Sequence, residues 1–318
     1  MLSRQHKLFI LKIISLFSVV RGYNIPIIAL AQYLSAIFIL APEQRALSVL
    51  LDFRLLIIVL CSSLAIASGY IINNFYDSKK DLINRPRKSQ LDRLVSQKTK
   101  LQVYFSLNFF VALIAFFVSF RAVLFYSAYI FLIWFYSHKI KKYPLIGNLM
   151  AAILAVFPFF GILLYYYFKM PLYEIESYSS KLEVVISHGT FLFLLILIRE
   201  MIKDLENLKG DFVSDYKTIP IIYGEMMSKK IITVLSLFTI VPVYFLIDIY
   251  DVGYMDIYFY FSFIILIFFL LYLWRWQTKP QYVILHNILK FLIVAGVFCI
   301  VLIDPTVLWN GEKLLRSI

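Results

Sequence analysis

Residues 55–86 read Leu55-Leu-Ile-Ile-Val-Leu-Cys61-Ser-Ser-Leu-Ala-Ile-Ala-Ser-Gly69-Tyr-Ile-Ile-Asn73-Asn-Phe-Tyr-Asp77-Ser-Lys-Lys-Asp81-Leu-Ile-Asn84-Arg85-Pro86. Residues 55–75 hold no charged side chain. A bilayer core of about 30 Å is crossed by roughly 20 apolar residues in a helix, so this stretch predicts a membrane span. Its C-terminal end changes character. Asn73, Asp77 and Asp81 are spaced i, i+4, i+8, and at 3.6 residues per turn such positions share one face. An apolar helix thus ends in a row of oxygen ligands at the membrane boundary.

The remainder of the chain repeats the apolar part of that pattern. Of 318 residues, 62% are hydrophobic and 16% charged, and the mean hydropathy is +0.82, far from a soluble domain. Nine spans are predicted, at about 25–41, 55–75, 102–119, 121–137, 148–168, 186–202, 231–250, 256–274 and 283–303. The third and fourth are separated only by Phe120 and Arg121, which predicts a tight antiparallel hairpin. The expected architecture is all-α: one transmembrane domain over residues 1–318, with nine helices around a central cavity.

A formal charge of +12 would suggest nucleic acid in a soluble protein, but here the cations fall in short connectors between spans. No nucleic-acid partner is expected. Lys79, Lys80, Arg85, Arg87, Lys88, Arg93, Lys98 and Lys100 follow the second span. Lys139, Lys141 and Lys142 follow the fourth, and Lys203, Lys209, Lys217, Lys229 and Lys230 the sixth. The opposite loops are poorer in cations and carry Glu174, Glu176, Glu183, Asp248, Asp251 and Asp256. The positive-inside rule then predicts a multi-pass integral protein with its N-terminus and these basic loops in the cytoplasm; the membrane is expected to be that of a prokaryotic cell. The N-terminal run resembles no cleaved signal and reads as a retained, amphipathic lead-in. Cys61 and Cys299 stand alone in apolar segments, and His6, His138, His188 and His286 are scattered, so neither type predicts a metal site. Tyr165-Tyr166-Tyr167 and Trp274/Trp276 read as interface anchors.

A second oxygen row closes the sixth span. In Arg199-Glu-Met-Ile-Lys203-Asp204-Leu-Glu206-Asn207-Leu-Lys-Gly210-Asp211, the residues Asp204, Asn207 and Asp211 are spaced i, i+3, i+7. Each row is followed by a basic connector, which suggests a pseudo-repeat around a shared cavity. Two sparse rows of hard oxygen ligands suit magnesium, which takes one or two carboxylates and completes its shell with water and phosphate oxygens. With a diphosphate between the rows, the expected chemistry is heterolysis of an allylic carbon–oxygen bond, with the leaving group's charge neutralised and the carbocation kept from water by an apolar, aromatic cavity. Arg85, Arg87, Lys139, Lys141, Lys142 and Lys203, with Arg21 and Asn24 at the start of the first span, are candidates to hold the diphosphate. Intramembrane carboxylates in two halves also occur in secondary transporters, the alternative reading. That reading places the acids near mid-span.

The ordered set of motifs resembles the UbiA-type intramembrane prenyltransferases. The family's Asn-x-x-x-Asp-x-x-x-Asp stands as Asn73, Asp77 and Asp81, followed by Asn84-Arg85-Pro86. Its second acidic motif stands as Lys203-Asp204-Leu-Glu-Asn207-Leu-Lys-Gly-Asp211, followed by Thr218-Ile-Pro220. Tyr136-Ser-His-Lys139-Ile-Lys141-Lys142-Tyr-Pro-Leu-Ile-Gly147-Asn148 resembles the family's Tyr/Lys stretch, with Lys139 or Lys141 in the lysine's place and Lys141 preferred. Arg21-x-x-Asn24 resembles the family's opening of the first helix.

The resemblance implies a prenyltransferase that takes a polyprenyl diphosphate donor and a lipid-soluble or amphiphilic acceptor, aromatic or glycerol-phosphate in type, among membrane lipids. It implies Mg2+ held by Asp77, Asp81, Asp204 and Asp211 with Asn73 and Asn207, and a diphosphate held by Arg85, Lys141, Lys203, Arg21, Asn24 and Tyr136. Asn207 departs from the Asp of many members, and Glu206 is the carboxylate that would replace it if the helix unwinds there. The spacing of the second motif leans toward the ether-lipid and homogentisate branches.

Overall fold

The computed structural model describes residues 4–169 and 175–309. Glu174, the side chain of Glu176 and both extremities of the predicted 1–318 domain lie outside the described residues. Helices α1 (Arg4–Val19), α2 (Ile25–Leu40), α3 (Phe53–Asn84), α4 (Pro86–Asp92), α5 (Gln97–Ala115) and α6 (Phe120–His138) form the first half. The second half comprises α7 (Ile146–Lys169), α8 (Ile175–Glu206), α9 (Leu208–Val213), α10 (Ile219–Ile249), α11 (Asp256–Arg275) and α12 (Lys279–Cys299). There is no strand among the described residues.

Every predicted span falls on one of these helices. Seven of the helices are long and apolar enough to cross a bilayer. The other two predicted spans fall short of that measure: α2 is 16 residues long, and α5 opens on the polar run Gln97-Lys98-Thr99-Lys100. The hairpin between α5 and α6 is present, but Phe120 and Arg121 are not its turn. Ser119 accepts a hydrogen bond from the Ala122 amide and caps α6, so the turn is residues 116–119 and both predicted turn residues are helical.

The two helices that carry the acidic rows organise the bundle. α3 packs against α2, α5, α6 and α7, while α8 packs against α7, α10 and α12. In its most apolar stretch α3 is 67% buried, against 22–39% in the other six long helices, so α3 is the central post and the others face lipid. Phe105, Phe109, Phe116, Phe268 and Phe291 are all more than half exposed. An apolar surface of that extent needs hydrocarbon around it, and the chain is an integral membrane protein.

With no water to satisfy it, every polar group inside such a bundle needs a protein partner. Pro158 lies within α7 and has no N–H to give the Leu154 carbonyl one turn earlier. The hydroxyl of Tyr129 donates to that carbonyl instead, at 2.9 Å. The Pro158 carbonyl accepts from Gln32 Nε2 at 3.0 Å, and the same amide donates to Ser62 Oγ at 3.0 Å. Ser62 lies 2.9 Å from the Tyr126 hydroxyl, which donates to the Ile58 carbonyl at 2.7 Å. This relay ties α2, α3, α6 and α7 together. The tyrosine run is not wholly an interface anchor: Tyr166 is 2% exposed within the core, and Tyr165 donates to Asp52 at 2.6 Å. Cys61 is buried, with its thiol 3.8 Å from the Val111 carbonyl, consistent with a packing role.

Tyr129→Phe strips the Leu154 carbonyl of its donor in a site closed to water. It should cost about 1–3 kcal/mol and lower the thermal midpoint in detergent measurably. A variant that melts with the wild type would show that the carbonyl freed by Pro158 does not depend on Tyr129.

Candidate active site

The ends of α3 and α8 meet at one face of the bundle because the helices that separate them, α6 and α7, are joined there by a short connector. That connector, residues 139–145, folds inward as a single 3-10 turn at Ile140–Lys142. It is locked to the chain beyond α9 by the amide of Lys217, which donates to the Lys142 carbonyl at 2.9 Å. α9 is held to α3 in the same way. The Gly210 amide donates to Asn84 Oδ1 at 3.0 Å, and a Cβ on Gly210 would fall on the Asn84 side chain. Only glycine permits that approach.

These contacts enclose a polar cavity of about 70 Å³. Asn73, Asp77 and Asp81 line it from α3, as the i, i+4, i+8 spacing predicts, and Asp204, Asn207 and Asp211 line it from the end of α8 and from α9. Arg21, Arg85, Tyr136, Lys141 and Lys203 complete the predicted set around it. Of the predicted candidates, Asn24, Arg87, Lys139 and Lys142 do not line the cavity. The Asn24 amide donates to the Tyr70 hydroxyl at 3.3 Å, while Arg21 lies 4.9 Å from the centre of the same ring, so Asn24 stands behind Arg21.

Asp77 is the most heavily partnered carboxylate of the cavity. Its Oδ1 accepts from Lys141 Nζ at 2.6 Å and from the Tyr216 hydroxyl at 2.8 Å, and Lys80 Nζ lies 4.0 Å away. Lys141 also donates to Asn73 Oδ1 at 3.1 Å. Lys139 is exposed and does not line the cavity. Lys80 reaches across to Asp211 Oδ1 at 3.2 Å, so one ammonium bridges the two rows. Burial pushes the Asp211 carboxyl above the ordinary carboxylate range, with Lys80 opposing that shift. Burial and then Asp77 push the Tyr216 phenol far up, so it remains a hydrogen-bond donor.

On the second row, Asn148 Nδ2 donates to Asp204 Oδ2 at 2.8 Å. Glu200, one turn before Asp204, also lines the cavity and accepts from Lys203 Nζ at 2.6 Å. α8 does end at Glu206, yet Glu206 does not replace the missing aspartate. It accepts from Arg85 Nη2 at 3.0 Å and lies 3.4 Å from His286 Nδ1, outside the cavity lining. Lys80, Glu200 and Tyr216 are the principal lining residues that the motifs did not single out, while Asn148 closes the Tyr/Lys stretch. Glu200 carried a signal, since it stands i−4 from Asp204 on the same face. Tyr216 carried none.

The donor set is all oxygen. Asn207 Oδ1 and Asp211 Oδ1 are buried and accept no well-aligned hydrogen bond among the described residues. No three acidic, histidine or cysteine side chains gather closely enough among the described residues to cage an ion alone. The fit is to a cation that takes one or two carboxylates and draws its other ligands from phosphate, the habit of magnesium and not of calcium. The carboxylates lie at helix ends rather than at mid-span, unlike the transporter arrangement. A second, apolar cavity of about 80 Å³ lies deeper between α2, α7, α8, α11 and α12, lined by Leu192, Leu195, Phe159, Tyr258, Phe259 and their neighbours. Leu195 in its wall is five residues from Glu200, roughly 7 Å along α8 at 1.5 Å per residue.

A sequence profile described as the UbiA prenyltransferase family matches residues 28–284. The chain is 31% identical over 187 residues to the digeranylgeranylglyceryl phosphate synthase of Thermococcus sibiricus, covering 58% of this chain and 62% of that protein. It is 29% identical over 209 residues to the synthase of the same name from Methanosphaera stadtmanae, covering 64% and 71% respectively. The match therefore spans about three fifths to seven tenths of these relatives' lengths. Among solved structures, one of a digeranylgeranylglyceryl phosphate synthase in membranes superposes with a TM-score of 0.66 at 19% identity, covering 92% of this chain and 98% of the other. A UbiA homologue from Archaeoglobus fulgidus bound to GPP and Mg2+ gives 0.62 at 14% identity, with 90% and 99% covered. These two likenesses establish the fold.

Gly210→Ala should displace Asn84, break the hydrogen bond that docks α9 on α3 and move Asp211 away from Lys80. Since positioning errors of about 1 Å cost on the order of 100-fold, turnover should fall steeply while membrane insertion is retained. Full turnover in that variant would show that the glycine contact does not set the spacing of the rows.

Proposed function

The chain belongs to the UbiA prenyltransferase family, and we propose that it transfers a prenyl group from an allylic diphosphate to a glycerol-phosphate-type acceptor, with its substrate site facing the cytoplasm. One observation carries the reading: two oxygen rows and five cationic side chains converge on a single polar cavity that lies a turn or two of helix from an apolar one. An amphiphile with a polyanionic head and a hydrocarbon tail matches that pair of cavities. The acceptor class is supported by the relatives' shared name, and the donor and the magnesium requirement by the GPP and Mg2+ bound in a homologue of the same fold. The basic connectors beside the cavity support the cytoplasmic side through the positive-inside rule.

Asp77, Asp81, Asp204 and Asp211, with Asn73 and Asn207, would hold Mg2+, which when bound neutralises the charge that builds on the departing diphosphate. Lys141, Lys203, Arg85 and Arg21 are set to bind the diphosphate oxygens, and Lys80 joins them from between the rows. The carbon–oxygen bond breaks with its electron pair going to the diphosphate. Tyr136 and Tyr216 stand nearby with ring faces that favour the allylic cation over water. The carbocation is then captured by the oxygen of an acceptor hydroxyl, whose proton passes to the released diphosphate. The protein's contribution is a preorganised, dry set of charges, which commonly supplies most of the rate enhancement in such catalysis.

Purified protein in lipid should release pyrophosphate from geranylgeranyl diphosphate with magnesium and a glycerol-phosphate ether acceptor, and should stop in EDTA. Asp77→Asn and Asp204→Asn, which keep side-chain volume beside buried Lys141 and Asn148, should each lower turnover by at least two orders of magnitude with insertion intact. Undiminished release from both variants would remove the metal-site reading. Gly189 lines the apolar cavity and a Cβ there meets nothing within 4 Å. Gly189→Leu should therefore narrow the cavity and shift donor preference toward shorter prenyl chains in a competition assay; an unchanged preference would place the tail elsewhere.

A further inference from the structure

At the other ends of α3, α6 and α7, on the membrane face opposite the acidic site, lies a cavity of about 680 Å³. It is far larger than either cavity of the proposed reaction. Arg54 on its rim stands 23 residues from Asp77 along α3, roughly 35 Å at 1.5 Å per residue, so it has no part in holding the diphosphate. Two features define its chemistry. Arg54, Arg121 and Lys169 converge on its rim, on a face whose loops are otherwise poor in cations. Its walls are apolar, built from Ile58, Phe125 and Leu164, and they run out into the strongly exposed Phe53, Phe120 and Phe168 of the lipid-facing surface.

The one carboxylate at the rim is already fully used. Asp52 Oδ2 accepts from Lys169 Nζ at 2.7 Å and from the Tyr165 hydroxyl at 2.6 Å, while Oδ1 accepts from the Arg54 and Leu55 amides at 3.0 and 3.3 Å. A carboxylate offers about four lone-pair sites, so none is left for a guanidinium. Among the described residues neither Arg54 nor Arg121 has an ion-pair partner. The Arg121 guanidinium carbon lies over the Phe168 ring, 4.2 Å from its centre, a cation–π contact that holds the side chain at the rim without using an ion-pair partner. Arginine's planar fork is the side chain best suited to phosphate oxygens.

We infer that this cavity binds one phosphate-bearing anionic membrane lipid, its phosphate between Arg54 and Arg121 and an acyl or isoprenoid chain along Phe125 and Leu164. A dissolved anion would use only the rim. The volume is roughly twenty times a water's share of the liquid, about 30 Å³, and its apolar walls at a membrane boundary match a hydrocarbon chain. The bound lipid would join the outer ends of the central helix α3 and of α6 and α7, and so stabilise the bundle without touching the reaction.

The test is thermal unfolding of the detergent-solubilised protein titrated with dioleoylphosphatidylglycerol, dioleoylphosphatidylcholine or inorganic phosphate. For the wild type, the anionic lipid should raise the midpoint by several degrees more than the zwitterionic lipid, and phosphate alone should not raise it. Arg54→Gln/Arg121→Gln should lose most of that difference. Lys209→Gln/Lys230→Gln, which removes two exposed charges at the opposite face, should keep it. Each single arginine variant gives a smaller loss and serves if the double variant does not insert. Equal shifts for the two lipids, a shift reproduced by phosphate, or a difference retained in the arginine variants would each overturn the proposal.

Discussion

The Asp77 carboxylate is the point on which the site turns. A charge buried in such a bundle is stable only if it is fully partnered, and the partners of Asp77 come from separate parts of the chain: Lys141 from the α6–α7 connector, Tyr216 from beyond α9, and Lys80 from its own helix. Lys80 in turn reaches Asp211. Satisfying one carboxylate thus ties the end of α3 to the α6–α7 connector, to α9 and to the chain beyond it. The helix packing that places α3 at the centre and α8 against α7 is the hydrocarbon-side counterpart of that requirement.

Local periodicity made much of this visible beforehand. The apolar runs and the i, i+4, i+8 row are properties of single helices, so the sequence could reveal which residues share a face, and the row on α3 lines the cavity as that spacing implies. What could not be read was which distant partner each polar group acquires. Tyr216 stands in a loop without pattern and reaches Asp77 across 139 positions of chain. Asn24 looked equivalent to Arg21, but the geometry of the Tyr70 ring places one behind the other. Hydropathy marks Phe120 and Arg121 as a turn because it cannot sense a cap, whereas the Ser119 hydroxyl begins α6 one residue earlier.

The second row illustrates the same division. An unwound residue at Asn207 was foreseeable from the motif, and α8 does stop at Glu206. Glu206 is held instead by Arg85, which follows α3, and lies beside His286 of α12, outside the cavity lining. The carboxylate beside the missing aspartate therefore steadies a neighbouring cation, and Glu200, one turn before Asp204, supplies the additional negative charge in the cavity.

The adjacency of a polar cavity at the bundle's face and an apolar one just beneath it has a consequence for how rates are to be expressed. A molecule whose head and tail fit these two spaces is dissolved in the bilayer before it binds, and it moves from lipid to protein without crossing water. Its effective concentration is then a mole fraction in a two-dimensional solvent. Diluting the protein with more lipid at constant total substrate should slow the reaction as dilution in water slows a soluble enzyme, while changing the aqueous volume should leave it untouched.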